Sequence, residues 1–369
     1  MDMRTTAVAF LIALLIALLI RRGVPAGHVI TDVAPHFAAP EAICEIELSA
    51  AAEPVISAER PVRKLVQGSS AVYACGSGGS ASLKWMLRHQ NLDGSWGGEA
   101  EIFEGHIYSP TSATALCLLA LLSAGYTHLS NESVSVEGSE NRKAFGDAIR
   151  AGLNWLDTRP PTDAFDASLH ALVMSQAWGL TNSGGIGVMC ESALARYDAF
   201  QRFDATRGDP LAESWAAFAA ASAKLSDLAF DEAAAGRTKE RLFESLNAGP
   251  TPEAAAAFLL VAGDGEHPSL PGLAVALAAA PPAWEKPEFT RWYFATLALH
   301  QFEGPGHVDS VGESWKTWSA ALKEALVLNQ NREGTWPGPS GATGSAVRTA
   351  MGTLALEVYY RYANAPGVR

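Results

Sequence analysis

A chain of 369 residues with 48 % hydrophobic and 18 % charged side chains can bury a sizeable core, which excludes disorder as its default state. Its net charge of −12 and the lack of any basic cluster exclude a nucleic-acid partner, because that binding rests on Lys and Arg neutralising phosphates. The 33 Gly and 20 Pro provide corners for many short elements.

The amino terminus reads as a separate object. Ala7 to Ile20 is an unbroken apolar run, with Arg4 before it and Arg21 and Arg22 after it. At ~1.5 Å per residue the run spans about 21 Å, short of a ~30 Å hydrocarbon core, so it fits a signal-peptide core or a short signal anchor. Val24-Pro25-Ala26 offers a cleavage site, but two arginines directly after the run favour retention as a tether. Residues 1–22 are therefore expected to be a signal peptide or anchor, meeting the membrane through residues 5–20. The rest is expected outside the cytoplasm, secreted if the segment is cleaved. Residues 23–78 read as a linker with little regular structure and one short strand at Ala42 to Leu48. Residues 79–369 read as one domain.

From Gly79 onward, apolar periodicity near 3.6 alternates with Gly, Pro and Asp punctuation, and no period-two strand stands out. Helices are predicted over 80–90, 111–125, 141–157, 165–179, 188–202, 212–227, 232–247, 252–262, 269–280, 288–302, 312–329 and 343–362. They pair. The first member of each pair carries a charged stripe, as in Lys84, Arg88, Lys143, Asp147, Arg150, Lys239, Glu240, Lys316 and Lys323. The second is apolar all round, as in Ser112 to Leu122, Ala167 to Ala177, Trp215 to Ala223 and Glu253 to Ala262. A striped helix faces water on one side and a uniformly apolar one is buried on all sides. Two concentric rings of six, an all-α α6/α6 toroid, satisfy both demands.

A repeated box supports the pairing. Gln-Asn-Leu-Asp-Gly-Ser-Trp at Gln90 to Trp96 returns as Gln-Asn-Arg-Glu-Gly-Thr-Trp at Gln330 to Trp336, and the 240 residues between them divide into five steps of 48. Gln201 to Arg207 is a decayed copy that lacks the Gly and the Trp. Such a box makes a corner between helices. The acid and hydroxyl cap the turn, Gly takes a conformation other residues avoid, and the indole packs beneath. Four cysteines, Cys44, Cys75, Cys117 and Cys190, show no zinc or redox spacing. Cys44 and Cys75 could form a disulfide outside the cytoplasm, and Cys117, within an apolar run, reads as a buried thiol.

The two boxes resemble the QW repeats of squalene and terpenoid cyclases, and the paired-helix toroid is similar to theirs and to the protein prenyltransferase β subunit. More closely, four stretches resemble the prenyltransferase and squalene oxidase repeat proteins of planctomycete-type bacteria: Trp85 to Gln90, Ala115 to Ala120, Trp292 to Thr296 and Leu356 to Tyr362. The likeness covers residues 80 to 362 and implies the toroid, without an activity. Two departures from that family stand out: Ala167 where a histidine is usual, and no tyrosine in the segment before Arg348.

Chemistry is sparser. The acid string D-x-D-D that the cyclase resemblance would imply is missing. The nearest cluster is Asp163, Asp166 and His170, whose spacings of three and four put them on one helical face, where they could do acid–base work. The competing structural reading makes Asp163 and Asp166 helix caps and His170 an interior residue. No cysteine follows Cys190, so the prenyltransferase zinc site cannot be assembled, and no His spacing indicates another metal. No cofactor is expected. Trp178, Trp215, Trp292, Tyr293 and Phe294 on inner helices, with Tyr108 at a corner before one, are the candidates to line an apolar cavity, while His106 on that corner reads as a loop histidine. Two functions compete. One is an isoprenoid-type toroid that binds or transforms an apolar lipid at the membrane. The other is a non-catalytic, envelope-facing scaffold for a protein or glycan partner. A carbohydrate lyase or hydrolase, which would need paired acids in a rim groove, is third. A central pocket of ~300–1,000 Å³ favours the first, and a filled centre with a rim patch favours the second.

Overall fold

The computed structural model describes residues 76–135, 142–203, 205–262, 267–304, 311–338 and 345–362. The amino-terminal apolar run, the strand expected at Ala42 to Leu48 and the Cys44 to Cys75 pairing lie outside the described residues. No described helix is long and apolar enough to cross a membrane.

Twelve helices are described: α1 (Gly76–Arg88), α2 (Pro110–Ser123), α3 (Phe145–Asp157), α4 (Ala164–Thr181), α5 (Gly184–Gln201) and α6 (Pro210–Leu225), then α7 (Glu232–Ala248), α8 (Pro252–Ala262), α9 (Leu270–Ala279), α10 (Phe289–Glu303), α11 (Glu313–Leu328) and α12 (Ala346–Tyr362). The even-numbered helices touch in the order α2, α4, α6, α8, α10, α12, and α12 returns to α2. That closes an inner ring of six, and the odd-numbered helices lean on its outside. The two sets differ as the sequence pattern requires. Every residue of α2 from Thr111 to Leu122 is buried, whereas α7 buries only Ala234, Thr238, Leu242 and Leu246, one residue per turn. The protein is an α/α toroid.

Two short antiparallel hairpins interrupt the helices. The first pairs β1 (Glu101–Phe103) with β2 (His106–Tyr108) through a turn in which Glu104 and Gly105 have φ of 50° and 86°. The second pairs β3 (Ser133–Ser135) with β4 (Arg142–Ala144). Strands of three residues are too short to show an alternation in sequence, so the period-two test passes over them.

The repeated boxes fasten the corners. Gln90 Nε2 donates to Gly94 O and to Ala148 O of α3, both at 2.8 Å. Asn91 Nδ2 donates to Ser95 Oγ at 2.9 Å, and Trp96 Nε1 reaches back to Met86 O at 2.7 Å. The second box repeats this, with Gln330 Nε2 on Gly334 O at 2.9 Å and Trp336 Nε1 on Leu326 O at 2.8 Å. Asp93 is held below the usual carboxylate range, first by the Ser95 hydroxyl and then by the Ser95 N–H. Both glycines have positive φ and both press on a neighbouring helix. A Cβ on Gly94 would lie 2.5 Å from Ala151 O of α3, and one on Gly334 would overlap the backbone of Ala81 in α1. The second box thus docks the last outer helix's corner onto the first outer helix. In the decayed copy, Gln201 Oε1 accepts from Thr206 Oγ1 at 3.4 Å, while its Nε2 is buried without a partner. Ala205 stands where the intact copies have the glycine whose carbonyl the Gln amide meets.

Candidate functional site at the amino end of the inner ring

The first hairpin joins the corner after α1 to the start of α2, and its contacts spread over the amino ends of the inner helices. Its buried face carries Phe103 and Tyr108, and its outer face presents the exposed cross-strand pair Ile102 and Ile107. Phe103 packs near Phe289 of α10 at 6.1 Å between ring centroids, with the Arg348 guanidinium of α12 5.6 Å from its own ring. Tyr108 meets Phe165 of α4 edge-on at 5.4 Å, and the His106 ring lies parallel to Phe165 at 6.4 Å.

Carboxylates gather here because six parallel helices present unpaired N–H groups and the positive ends of their dipoles. Glu104, at the hairpin tip, accepts Phe289 N at 2.5 Å and Thr290 N at 2.8 Å, so it caps α10 from 185 residues away. Ser109 Oγ accepts Thr111 N and Ser112 N at the head of α2, and its own O–H donates to the Asp166 carboxylate at 2.7 to 2.8 Å. Ser345 does the same for α12, accepting Arg348 N at 3.0 Å while its hydroxyl donates to Glu101. In both cases a serine passes the helix's demand for negative charge on to an acid, the buried Asp166 in one and the half-buried Glu101 in the other. Asp163 caps α4 by accepting Asp166 N at 2.8 Å, Asp209 caps α6 through Leu211 N and Ala212 N, and Thr251 caps α8 through Ala254 N. All six amino ends are occupied.

Burial pushes the Asp166 carboxyl up, opposed by the Ser109 bond and assisted by the nearby Asp163 charge. Glu104 is likewise pushed up by burial, against the N–H bonds it accepts. Tyr108 is raised by burial, and Thr290 is the neighbour that stabilises its ionised form. A carboxyl raised in this way is suited to proton donation. Here its oxygens already accept bonds from O–H and N–H groups that favour the ionised form.

The candidate residues separate into three places. Asp163 and Asp166 stand together as caps. His170, one turn beyond Asp166, is 1 % exposed with neither ring nitrogen hydrogen-bonded, and burial, with the Arg196 charge of outer helix α5 second, lowers it to about 4. Asp166 and His170 lie 100° and 140° around α4 from Phe165, the residue that meets the hairpin. The aromatic candidates divide too. Trp215 stacks on Tyr293 at 5.9 Å and meets Phe294 at 5.1 Å, so α6 and α10 touch across the alanines of α8. Trp292 turns instead to Phe289 at 5.3 Å, which also contacts Trp336 and Trp284, and Trp178 packs outward over Gly187 of α5. Tyr108 remains at the mouth. Glu101, Glu104, Thr290, Ser345 and Arg348 were missed from sequence. Ser109 followed by Pro110 is a readable cap signal, but nothing local marks an acid that caps a helix far along the chain. Among the described residues no group of three or more His, Cys, Asp or Glu side chains could hold a metal ion, and Cys117 and Cys190 are buried free thiols.

Rings, hairpin and capped mouth together define an α/α-toroid protein. No family model matches the sequence, and comparison with curated proteins finds no match. Among solved structures, the chain is similar to the GH76A α-1,6-mannanase from Salegentibacter sp., with a TM-score of 0.52 and 12 % identity over 76 % of this chain and 98 % of that one. An inactive variant of that enzyme bound to α-1,6-mannotriose gives a TM-score of 0.50 at 11 % identity, over 77 % of this chain and 99 % of that one. A type II terpene cyclase from Scytonema, bound to geranylgeranyl dihydroxybenzoate, gives 0.47 at 14 % identity, over 79 % of this chain and 98 % of that one. At such identities the likeness describes the fold alone.

Proposed function

We propose that this toroid is a non-catalytic binding scaffold that docks a protein partner on the end carrying the first hairpin. One observation carries the reading: every inner-helix amino end is already capped by the chain's own side chains, so the mouth's acids act as caps and not as free acids or bases. Packing at the centre supports it, since Trp215, Phe218 and Phe294 are buried and in contact across the ring. Surface chemistry supports it as well. Exposed Ile102 and Ile107 lie on the hairpin, while Leu92, Phe203 and Leu328 stand at or just after the carboxyl ends of outer helices, which run antiparallel to the inner ones and finish on the same side.

A second reading, an isoprenoid-like apolar ligand between α6 and α10, is favoured by the aromatic wall of Trp215, Tyr293 and Phe294, with Trp215 Nε1 buried and unpartnered. A carbohydrate reading draws on the mannanase likeness. Its inactive variant is altered at two consecutive aspartates, and no two consecutive aspartates occur in this sequence.

Full-length protein incubated with squalene, a polyprenyl diphosphate or an α-1,6-mannan is expected to transform none of them. Turnover that Asp166→Asn abolishes would overturn the scaffold reading. The double variant Ile102→Ser, Ile107→Ser should keep the wild-type melting temperature and lose the protein cross-linked to the hairpin in the cell envelope.

A further inference from the structure

The two ends of the inner ring are chemically unlike. At the amino end the mouth's acids are held as helix caps, and the buried Tyr108 and Thr290 hydroxyls beside them have no hydrogen-bond partner. Toward the carboxyl end three further polar side chains carry buried atoms without one. Gln176 is the 13th residue of α4, Ser222 the 13th of α6 and Gln301 the 13th of α10. Inner helices that start at one mouth and run parallel therefore place all three on one level, about 18 Å from their first residues at ~1.5 Å per residue.

Their direction follows from helix periodicity. Gln176 is three turns beyond Phe165, which faces the hairpin over the mouth, Ser222 is two turns beyond Trp215, and Gln301 is two turns beyond Phe294. Trp215 and Phe294 are the residues that meet across the ring. The three polar groups thus continue the faces that look into the ring, and α4 and α10 stand opposite each other in its order. Gln176, Ser222 and Gln301 are 2 %, 0 % and 7 % exposed. Gln176 Oε1, Ser222 Oγ and both Gln301 amide atoms have no hydrogen-bond partner. Buried polar groups are almost always paired, and several orphaned on one level, on three separate helices, point to a partner that is not part of the chain.

We propose that this level is a binding site for a small, uncharged, hydroxyl-bearing molecule of the polyol class, entered from the end opposite the hairpin. Two amides and a hydroxyl read donors and acceptors without supplying charge, and an ion would pay for desolvation with no counter-ion. The aligned carboxyl ends of the inner helices carry partial negative charge, which favours a ligand rich in O–H donors. Access is short. Gln301 lies two residues before the end of α10, Ser222 three before the end of α6 and Gln176 five before the end of α4, so the level is about 3 to 8 Å inside the ring. The site is separate from the hairpin end, and its fate does not depend on the scaffold reading.

Titration of the full-length protein with glycerol, erythritol and myo-inositol by calorimetry tests it, with glycerol 3-phosphate as the charged comparison. Saturable binding of at least one polyol is expected, weakened at least tenfold by Ser222→Ala and by Gln301→Leu, with no binding of the phosphate ester. Circular dichroism establishes that each variant is folded, and Ser222→Ala decides the matter if Gln301→Leu is not. No saturation by any polyol, as when ordered water alone fills the level, overturns the proposal, and so does affinity unchanged in the folded variants.

Discussion

His170 shows how far spacing carries a single residue. The interval from Asp166 to His170 puts them on one side of α4, and the capping role of Asp163 follows from its place at a helix start, whereas the Asp166 carboxylate acts on the head of α2 through Ser109. Spacing does not say what faces that side. His170 looks into packed side chains, and its neutral form is the folded one, because burial lowers it from 6.5 to about 4. The stability it contributes is therefore present above pH 6.5 and lost as pH falls through about 4, a shift worth roughly 3 kcal/mol at most. Asp166 and Glu104 act with the opposite sign. Raised by burial, they contribute stability at low pH that is lost as pH rises through their folded values. Comparing wild type with His170→Leu isolates the imidazole. Urea unfolding at pH 7 and pH 4.5 should show a smaller acid-induced loss in the variant, by up to about 3 kcal/mol. An equal loss in both proteins would remove His170 from the account.

At the scale of elements, helices were legible and hairpins were not. Contrast between striped α7 and the uniformly buried α2 is a property of tens of residues, and it survives without knowledge of neighbours. The first hairpin is three residues per strand, and its importance lies in what it reaches. Glu104 belongs to a turn after α1 yet closes the amino end of α10. Glu104→Ala should cost about 1–2 kcal/mol, as loss of a helix cap does. Hydrogen exchange is expected to localise the effect, with the amides of Phe289 and Thr290 losing protection more than those at the head of α6, which Asp209 caps independently. Uniform loss along the chain would mean that the hairpin supports the ring in some other way.

For the molecule as a whole, closure is what a linear reading could only infer from counting. Five steps of 48 residues implied a sixth pair meeting the first, and the contact of α12 with α2 supplies it. A close join in the outer layer is Gly334 against Ala81, where positive φ and a crowded backbone coincide. Gly105 has a similar φ of 86° with open space around it. Gly105→Ala should therefore cost about 1 kcal/mol and Gly334→Ala appreciably more, about 3 kcal/mol, in denaturant unfolding. Equal costs would show that backbone conformation alone governs both sites. The polar level and the capped mouth were not legible at this scale either, since each is assembled from residues of different helices.

Gln201, with its amide nitrogen unpartnered in the decayed corner, has a consequence for where such a ring would yield. An unbroken circle has no end in space at which to begin fraying, so fraying begins where a corner holds a buried amide that no acceptor meets. The first and last described helices meet beside a sound clasp at Trp336, and the decayed one lies half a circumference away, between α5 and α6. Polypeptide seam and mechanical seam are therefore different places, and strain applied to the circle would open it between α5 and α6, leaving the join of α12 with α1 shut.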